Sequence, residues 1–474
     1  MRKRCLPCCA WGQTGAGSRT GRERREHMRE KSRIRQNRKE QQERFVNAAI
    51  GFIMLVSLGF PGKYEVIVGE QGDMAFQYLS FGLQIIVMLS AGRNVMEWRL
   101  VDVKLRYWSL YLMAAVFFAG SMAVTGYPRE QFVTCVRFTV LLLFALWLSE
   151  NREPEENLRL FCMAQAVFAA SVLMFIVLYP DRAFVREVGE HDFTGILRTK
   201  NNAAAEVSFG LVLQAALYRI MRDEGKQIPR WFVILSGAQL TLLALCSSVG
   251  ALVYAAVPAF FVLALSRRHV RGLPLGILYV AGSVGFLIAV QTVMPLAAPV
   301  LEAVGKDATL TGRIPLWRQI IQVMTQHRSF MGWGFCMFWR DRRAVALIHT
   351  AFSRYSFMGS MTTGAHNVLL ELWLDTGLFG VAAFFLAMLV STSQIKRLKD
   401  AQYVFCAAVI LWFFLHGLLE RAFSPSSYHT LSLLMAMGTA CKKPRLQGRR
   451  WIREEDREQP IGTEETFYKK EEEI

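Results

Sequence analysis

Charged residues are scarce in this sequence. Asp, Glu, Lys and Arg make up 20% of its 474 residues, whereas hydrophobic residues make up 53%. With a mean hydropathy of +0.25, the chain is too apolar for a soluble protein of this length. The formal net charge of +17 is concentrated in residues 1–44 and in loops, and this distribution does not suit a nucleic-acid-binding face. The sequence therefore predicts a membrane protein without a nucleic-acid partner.

Three features of secreted or metal-dependent proteins are also missing. The first apolar run begins near Phe45 and has no small-residue cleavage site, so it predicts a retained helix rather than a signal peptide. By the topology below, Cys336 is the one cysteine in a long outer loop, which leaves no disulfide framework there. The outer loops contain no Asp-x-Asp pair. We therefore predict no metal site and no cofactor.

Apolar segments long enough to cross a bilayer recur along the chain. The predicted fold is an all-α, polytopic bundle of about twelve transmembrane helices. Lys and Arg cluster in every second connection, so the positive-inside rule places both termini in the cytoplasm. The predicted spans are 45–60, 74–91, 107–125, 132–149, 160–178, 202–220, 231–247, 249–266, 273–294, 368–390, 403–418 and 428–441.

These spans divide the chain into five regions. A basic cytoplasmic leader (1–44) precedes helices one to nine (45–294). A long extracytoplasmic loop (295–366) follows, then helices ten to twelve (367–441) and a cytoplasmic tail (442–474). The long loop contains eight basic residues against three acidic ones, a net charge of +5. Arginine binds phosphate bidentately, so this loop suits a lipid phosphate head group, although a solvated loop beside anionic lipid has the same composition.

The stretch that begins at Asp307 reads D-A-T-L-T-G-R-I-P-L-W-R-Q-I-I-Q-V-M. Its apolar residues, including Trp317, recur at helical spacing and predict an amphipathic helix lying on the membrane surface. Arg313 stands at the start of this helix, where backbone N–H groups also favour an anion. Alternatively, Arg313 only reaches lipid phosphate with its long side chain. Further on, Gly332 and Gly334 predict a tight turn with a close backbone approach.

His366 and Asn367 stand where the long loop meets the tenth helix. Histidine titrates near neutral pH, which makes His366 a candidate general base for a hydroxyl nucleophile. The alternative is a hydrogen-bonded interfacial anchor. Both residues are candidate site residues, with His366 the catalytic one.

Three further candidates lie in the segment I-L-R-T-K-N-N, at the start of the sixth helix. Arg198, Lys200 and Asn201 could hold phosphate or sugar, or they could cap the helix at the interface. Arg137 is a charged residue within the fourth span. It must face the bundle or water, so it is either a site residue or half of a polar pair.

These motifs, in this order, resemble the O-antigen ligase and O-antigen polymerase superfamily of bacterial membrane glycosyltransferases. The resemblance rests on the L-T-G-R-x-x-L-W block (310–317), the G-W-G-F turn and the H-N-x-x-L-E-x-x-x-x-x-G stretch (366–377). The K-N-N of residues 200–202 is similar to an upstream element. The resemblance covers roughly residues 194–380 and implies a glycosyltransferase-C-like membrane fold.

The resemblance implies an inverting, metal-independent transferase in the bacterial plasma membrane. Its donor would be a polyprenyl-pyrophosphate-linked oligosaccharide, its acceptor a glycan or lipid, and its product a cell-surface polysaccharide. His366 would activate the acceptor hydroxyl, and Arg313 would hold the pyrophosphate leaving group. One position departs from the family: where a Ser-Arg-Gly turn is common, this chain has Ser248-Val249-Gly250. Either Arg198, Lys200 or another loop cation replaces that arginine, or the donor differs, or activity has been lost.

Two other function classes stay open at this point. A transporter or flippase for lipid-linked saccharide would use inverted repeats and polar residues at the membrane midplane. A catalytically silent family member would tolerate replacement of His366. Neither alternative accounts for the concentration of motifs in the long loop as simply as a transferase does.

Overall fold

Apolar α-helices make up most of the described chain. The computed structural model describes residues 17–60, 62, 65–90, 106–187, 190–197, 199–264, 274–303, 310, 312–352, 364–421, 423–425 and 427–442. The helices, numbered in chain order, are α1 Gly17–Ser57, α2 Glu65–Ser90, α3 Trp108–Val124, α4 Pro128–Asn151, α5 Pro154–Leu178, α6 Pro180–Ala183, α7 Lys200–Asp223, α8 Arg230–Cys246, α9 Val249–Ala264, α10 Leu275–Ala303, α11 Arg313–Val323, α12 Arg342–Phe352, α13 Val368–Thr392, α14 Asp400–Leu419 and α15 Tyr428–Ala440.

Each of the twelve predicted spans overlaps one of these helices. Six helical stretches in the described chain are long and apolar enough to cross a membrane. They lie in α4, α5, α7, α10, α13 and α14. Shorter apolar helices occupy the predicted spans in α2, α3, α8 and α9. The predicted all-α, polytopic fold is confirmed, whereas the sidedness of the bundle and the boundaries of the five regions stay predictions.

Local sequence explains where several helices begin. Pro128 and Pro154 open α4 and α5, where the missing N–H of proline has no helical partner to lose. Thr199, Asn367 and Ser427 precede α7, α13 and α15, and each side chain accepts a hydrogen bond from a backbone N–H of the first turn. The starts of α7, α13 and α15 lie near one another at one end of the bundle, here called the site end: Asn201 and His366 both contact Glu420, and His429 lies 3.4 Å from Glu206.

The core of the bundle is built around α7 and α15. Helix α7 packs against α5, α8, α9 and α14. All thirteen residues of α15 are buried, and this helix packs against α4, α13 and α14. A helix of this length that is surrounded by protein can be apolar on every side. Because α15 is buried on every side, its packing stabilises the arrangement of the helices around it.

The predicted amphipathic helix exists as α11 and begins at Arg313. Its position on the membrane surface stays a prediction, but its apolar side packs against protein. The apolar side of α11 is buried in a second hydrophobic cluster that includes residues of α10, α12 and α13, and Trp317 is 0% exposed. Packing against protein covers the apolar surface of α11 and also that of its neighbours. It therefore removes more apolar surface from water than contact of α11 with the membrane interface would.

A break in α13 joins the long loop to the bundle. Gly377 has φ +66° and ψ −173° inside α13, and Gly332 in the loop has φ +66°. Next to these two glycines, backbone hydrogen bonds join the loop to α13. The N–H of Trp333 donates to the carbonyl of Leu374 at 2.9 Å, and the N–H of Leu378 donates to the carbonyl of Ser329 at 2.9 Å. A Cβ on Gly332 would lie 2.6 Å from the Asp375 carbonyl oxygen. The predicted close backbone approach is therefore present, and its partner is α13.

A short antiparallel hairpin, absent from the predicted fold, precedes α7. Strand β1 (Phe184–Glu187) pairs with β2 (Glu190–Phe193), with Phe184 opposite Phe193. Strand β2 also packs against α7 and α8. This hairpin positions the segment that leads into Lys200.

Candidate active site

A single carboxylate gathers polar side chains from four elements at the site end. Glu420 follows the last residue of α14. Arg313 opens α11, His366 precedes α13 by two positions, and Asn201 lies in the first turn of α7. We call Glu420, Arg313, His366 and Asn201 the Glu420 cluster. Three of its four members are predicted site residues that are far apart in the sequence.

Both oxygens of the Glu420 carboxylate accept hydrogen bonds. Arg313 donates to Oε1 at 2.5 Å and Asn201 donates to the same oxygen at 3.0 Å. His366 Nδ1 lies 2.9 Å from Oε2. The Glu420 side chain is 14% exposed, whereas that of His366 is 36% exposed. The carboxylate is thus sheltered, and the imidazole is open to a ligand.

Glu420 sets the tautomer of His366. Carboxylate oxygens are hydrogen-bond acceptors, so the contact with Oε2 assigns the ring hydrogen to Nδ1 of His366. The neutral ring then presents Nε2 as a proton acceptor. His366 also has φ +48°, a left-handed conformation that costs a non-glycine residue about 1–3 kcal/mol. This arrangement is that of a general base held in place by a carboxylate.

Arg313 is held by hydrogen bonds to protein but keeps further N–H donors. Its Nε donates to the backbone carbonyl of Leu419 at 3.1 Å, and Nη2 binds Glu420. A guanidinium has five N–H donors, so donors remain for a phosphate. The side chain is 18% exposed. Arg313 therefore places a positive charge next to the candidate base.

Two predicted substrate contacts turn out to be structural. Asn367 is 1% exposed; it caps α13 and donates from Nδ2 to the carbonyl of Leu418 at 2.9 Å. Trp317 is fully buried, and its indole N–H donates to the carbonyl of Ala365 at 2.8 Å. Because neither side chain reaches the surface, the predicted substrate contacts are corrected. Both residues instead hold the chain on each side of His366.

A second carboxylate, Glu371, lies in α13 and is 1% exposed. It accepts hydrogen bonds from the Trp339 indole at 3.1 Å and from the N–H of Ala365 at 2.7 Å. Its third partner is Arg421 Nε at 3.1 Å. The charge of Glu371 raises the pKa of Arg421 above its ordinary value, although burial acts in the opposite direction. Arg421 is thus held as a cation between the long loop and α14.

The remaining loop cations contribute less to the cluster. Lys200 forms an ion pair with Asp192 of β2 at 2.8 Å. Arg198 lies outside the described residues. Val249, at the position of the arginine common in the family, is 79% exposed at the start of α9. Among the described residues, Arg313 is the cation bonded directly to the carboxylate that holds His366.

Arg137 lies in a separate cavity of about 440 Å³. Its guanidinium is 5.0 Å from the centre of the Tyr78 ring. The cavity extends from α1, α2 and α4 to Asn202 and Ser424. These two residues adjoin the Glu420 cluster along the chain, next to Asn201 and a few positions beyond Glu420. The cavity therefore borders the cluster without including it.

Sequence reasoning missed Glu420, Glu371 and Arg421 as functional or supporting residues. The sequence marked Glu371 only as one position of the motif that begins at His366. Glu420 and Arg421 lie beyond the region on which the resemblance rests. One signal was present: the pair E-R follows the apolar span 403–418 after a single residue, Leu419, and charges at the end of a span are functional candidates.

The fold and the cluster define a multi-pass membrane protein in which a histidine, a carboxylate and an arginine meet at one end of a helical bundle. Residues 228–385 match the family model described as O-Antigen ligase. The chain is also 26% identical over 362 residues to the exopolysaccharide production protein ExoQ of Rhizobium meliloti (strain 1021), an overlap that covers 74% of this chain and 78% of that protein. Both matches support the resemblance to the O-antigen ligase superfamily. Arg313 and His366 lie inside the matched region, whereas Asn201 and Glu420 lie outside it.

Proposed function

We propose that this protein is a membrane glycosyltransferase of polysaccharide biosynthesis. It moves a glycan from a polyprenyl-pyrophosphate carrier to a hydroxyl acceptor, at the outer face of the bacterial plasma membrane. Both termini lie in the cytoplasm, and the site end of the bundle faces outward. The family and the exopolysaccharide relative support the general activity, and the observation that carries the proposal is the Glu420 cluster.

The cluster holds the two groups that this transfer needs. A hydroxyl attacks an anomeric carbon well only if its proton is removed as the new bond forms. A pyrophosphate leaves well only if its developing negative charge is stabilised. His366 and Arg313 supply these functions, and because both bind Glu420 they lie within reach of one sugar.

In the proposed reaction, Nε2 of His366 removes the proton of the acceptor hydroxyl. The hydroxyl oxygen attacks the anomeric carbon of the donor from the side opposite the pyrophosphate. The bond between that carbon and the phosphate oxygen breaks, and the electron pair leaves with the lipid pyrophosphate. Attack from the opposite side inverts the anomeric centre. Arg313 binds the departing phosphate, so the step needs no metal ion.

Other predicted residues have supporting roles in this proposal. Asn201 donates to Glu420 and keeps its carboxylate aligned with His366. Lys200, which precedes Asn201, attracts the anionic donor over a longer range, and the same role is proposed for Arg198, which lies outside the described residues. Glu420 acts as a positioning residue because it orients the base.

The test is glycan transfer by membranes that contain the normal chain, His366→Ala or Arg313→Ala. A labelled carrier-lipid-linked oligosaccharide is the donor, expression is matched, and chelator is present throughout. We expect His366→Ala to lower transfer by about 10²–10⁴-fold and Arg313→Ala by about 10²–10³-fold. The size of the product separates a polymerase from a ligase.

Matched controls are available in the same loop. His327 and Arg318 are exposed in the long loop, and Arg318 lies on α11, as Arg313 does. His327→Ala and Arg318→Ala should transfer glycan at nearly the normal rate. If His366→Ala were as active as His327→Ala with a panel of donors, the transferase mechanism would be wrong and transport would become the better proposal. Loss of activity with chelator alone would overturn the metal-independent step.

A further inference from the structure

The cavity around Arg137 has the composition of an anion-binding site. Arg137 lies about 13 Å along α4 from Pro128, at 1.5 Å per residue. Amide and hydroxyl side chains share the lining with it: Gln77, Ser80, Gln84, Asn202 and Ser424. Among the described residues, no carboxylate forms an ion pair with Arg137, and its charge lies against the Tyr78 ring. A cation at this depth in a membrane helix is costly unless it binds something.

This cavity lies apart from the place where the pyrophosphate leaving group must bind. The pyrophosphate of the donor is attached to the carbon under attack, so its cation must lie beside the base, as Arg313 does. The lipid phosphate of an acceptor lies at the opposite end of its glycan from the reacting hydroxyl. It must therefore bind farther from His366. The cavity meets this requirement, because its wall at Asn202 and Ser424 adjoins the Glu420 cluster while Arg137 lies across it on α4.

We infer that this cavity binds the phosphate of a second glycan linked to the polyprenyl carrier, which serves as the acceptor. The inference rests on the proposed function and deepens it, because an acceptor on the same carrier as the donor makes the enzyme a polymerase. Arg137 supplies the charge, and the amide and hydroxyl groups of the cavity supply further donors. The aliphatic chain of the carrier leaves the cavity between membrane-facing helices. Two phosphate sites then lie on two sides of one base.

Binding is tested first, because it does not depend on turnover. The full chain, in nanodiscs of zwitterionic lipid, is titrated with polyprenyl phosphate. We expect Arg137→Gln to weaken binding by at least about tenfold, since a hydrogen bond to a charged group is worth about 1.5–3 kcal/mol. Arg129→Gln, at the exposed start of the same helix, is the matched control and should bind normally. Asn202→Ala, on the opposite wall, should weaken binding in the same direction.

Two competitors identify the source of the phosphate. If inorganic phosphate or nanodiscs rich in phosphatidylglycerol displace the probe as well as excess polyprenyl phosphate does, the cavity is a general anion site and the acceptor assignment is wrong. If Arg137→Gln and Arg129→Gln bind alike, the site itself is wrong. Arg137→Lys keeps the positive charge and should recover part of the affinity, which separates a lost charge from misfolding.

Kinetics then assign the site to the acceptor. Arg137→Gln should raise the KM for a lipid-linked acceptor by at least about tenfold and leave the KM for the donor unchanged. The same oligosaccharide without its lipid phosphate should be used equally by the normal and variant chains. A raised KM for the donor would overturn the assignment. If no chain transfers glycan but the probe still depends on Arg137, the proposed function fails and the phosphate site stands.

Discussion

Two glutamates at the same end of the bundle have similar partners and different surroundings. Glu420 binds Arg313, His366 and Asn201, and it is sheltered beside an imidazole that is open to ligands. Glu371 binds Arg421, the Trp339 indole and the backbone of Ala365, and its side chain is 2% exposed. Each carboxylate joins the long loop to a helix end. The Arg421 side chain is 35% exposed and that of His366 is 36% exposed, so the two differ in chemistry: only Glu420 holds an imidazole, which can accept a proton.

This comparison distinguishes a carboxylate that stabilises the fold from one that orients the candidate base. A buried ion pair with every oxygen satisfied fixes one arrangement of the chain, because removal of either partner leaves an uncompensated charge. The same carboxylate at an open surface can instead orient a base and share its cation with a ligand. Glu371 thus holds the loop that carries His366, and Glu420 sets the state of His366 itself.

The sharpest test of this comparison is Glu420→Gln, which removes the charge and keeps the shape. We expect kcat for glycan transfer to fall by about 10²–10⁴-fold, the range for loss of general-base function. KM should change little, because the substrate does not contact Glu420. The free energy of unfolding in detergent should fall by about 1 kcal/mol or less, as for a pair that is partly open to solvent. A variant with normal kcat would remove Glu420 from the proposed mechanism.

The second test is Glu371→Ala, which should act on stability. Glu371→Ala leaves the Trp339 indole and the Ala365 N–H without their acceptor, at a cost of about 1–3 kcal/mol per group, so the free energy of unfolding in detergent should fall by about 2–5 kcal/mol. Glu156→Ala provides the control: Glu156 is 56% exposed and lies 3.7 Å from Arg152, a geometry worth about 1 kcal/mol or less. If both variants unfold alike, Glu371 is not the anchor described above. If Glu371→Ala is stable but inactive, Glu371 contributes to glycan transfer, as proposed for Glu420, and not to stability.

The smallest effect is expected at Lys200, whose charge is already engaged by Asp192. An ion pair at this exposure contributes about 1 kcal/mol or less, so Lys200→Ala should change transfer by less than about fivefold. Asn201→Ala, one residue further on, removes a hydrogen bond to the charged Glu420 and should lower transfer by about tenfold. A larger loss at Lys200 than at Asn201 would show that Lys200 replaces the family arginine in binding phosphate.

The sequence predicted some parts of this arrangement because their signals are local. Apolar runs of about 20 residues determine where the membrane helices lie, since a helix satisfies its own backbone hydrogen bonds in lipid. The start of α11 at Arg313 followed from the helical spacing of the apolar residues after it. The resemblance pointed to Arg313 and His366, and the structure brings both to Glu420. Their catalytic roles remain proposals.

Other parts could not be predicted because they depend on contacts distant in the sequence. The amphipathic pattern of α11 shows which face is apolar, but not whether lipid or protein covers it. The same pattern left Trp317 as a plausible substrate contact, although the fold buries it under Ala365. Glu420 was missed because its partners lie on three other segments of the chain.

The sequence by itself determined that this protein is a polytopic helical membrane protein with a long basic loop and motifs that resemble those of the O-antigen ligase superfamily. These properties follow from composition, spacing and short motifs, each of which acts within a few helical turns. Only the tertiary structure decided which charges meet. A carboxylate, an imidazole and a guanidinium act together only within hydrogen-bond distance of about 3 Å, and the packing of α7, α11, α13 and α14 sets that distance.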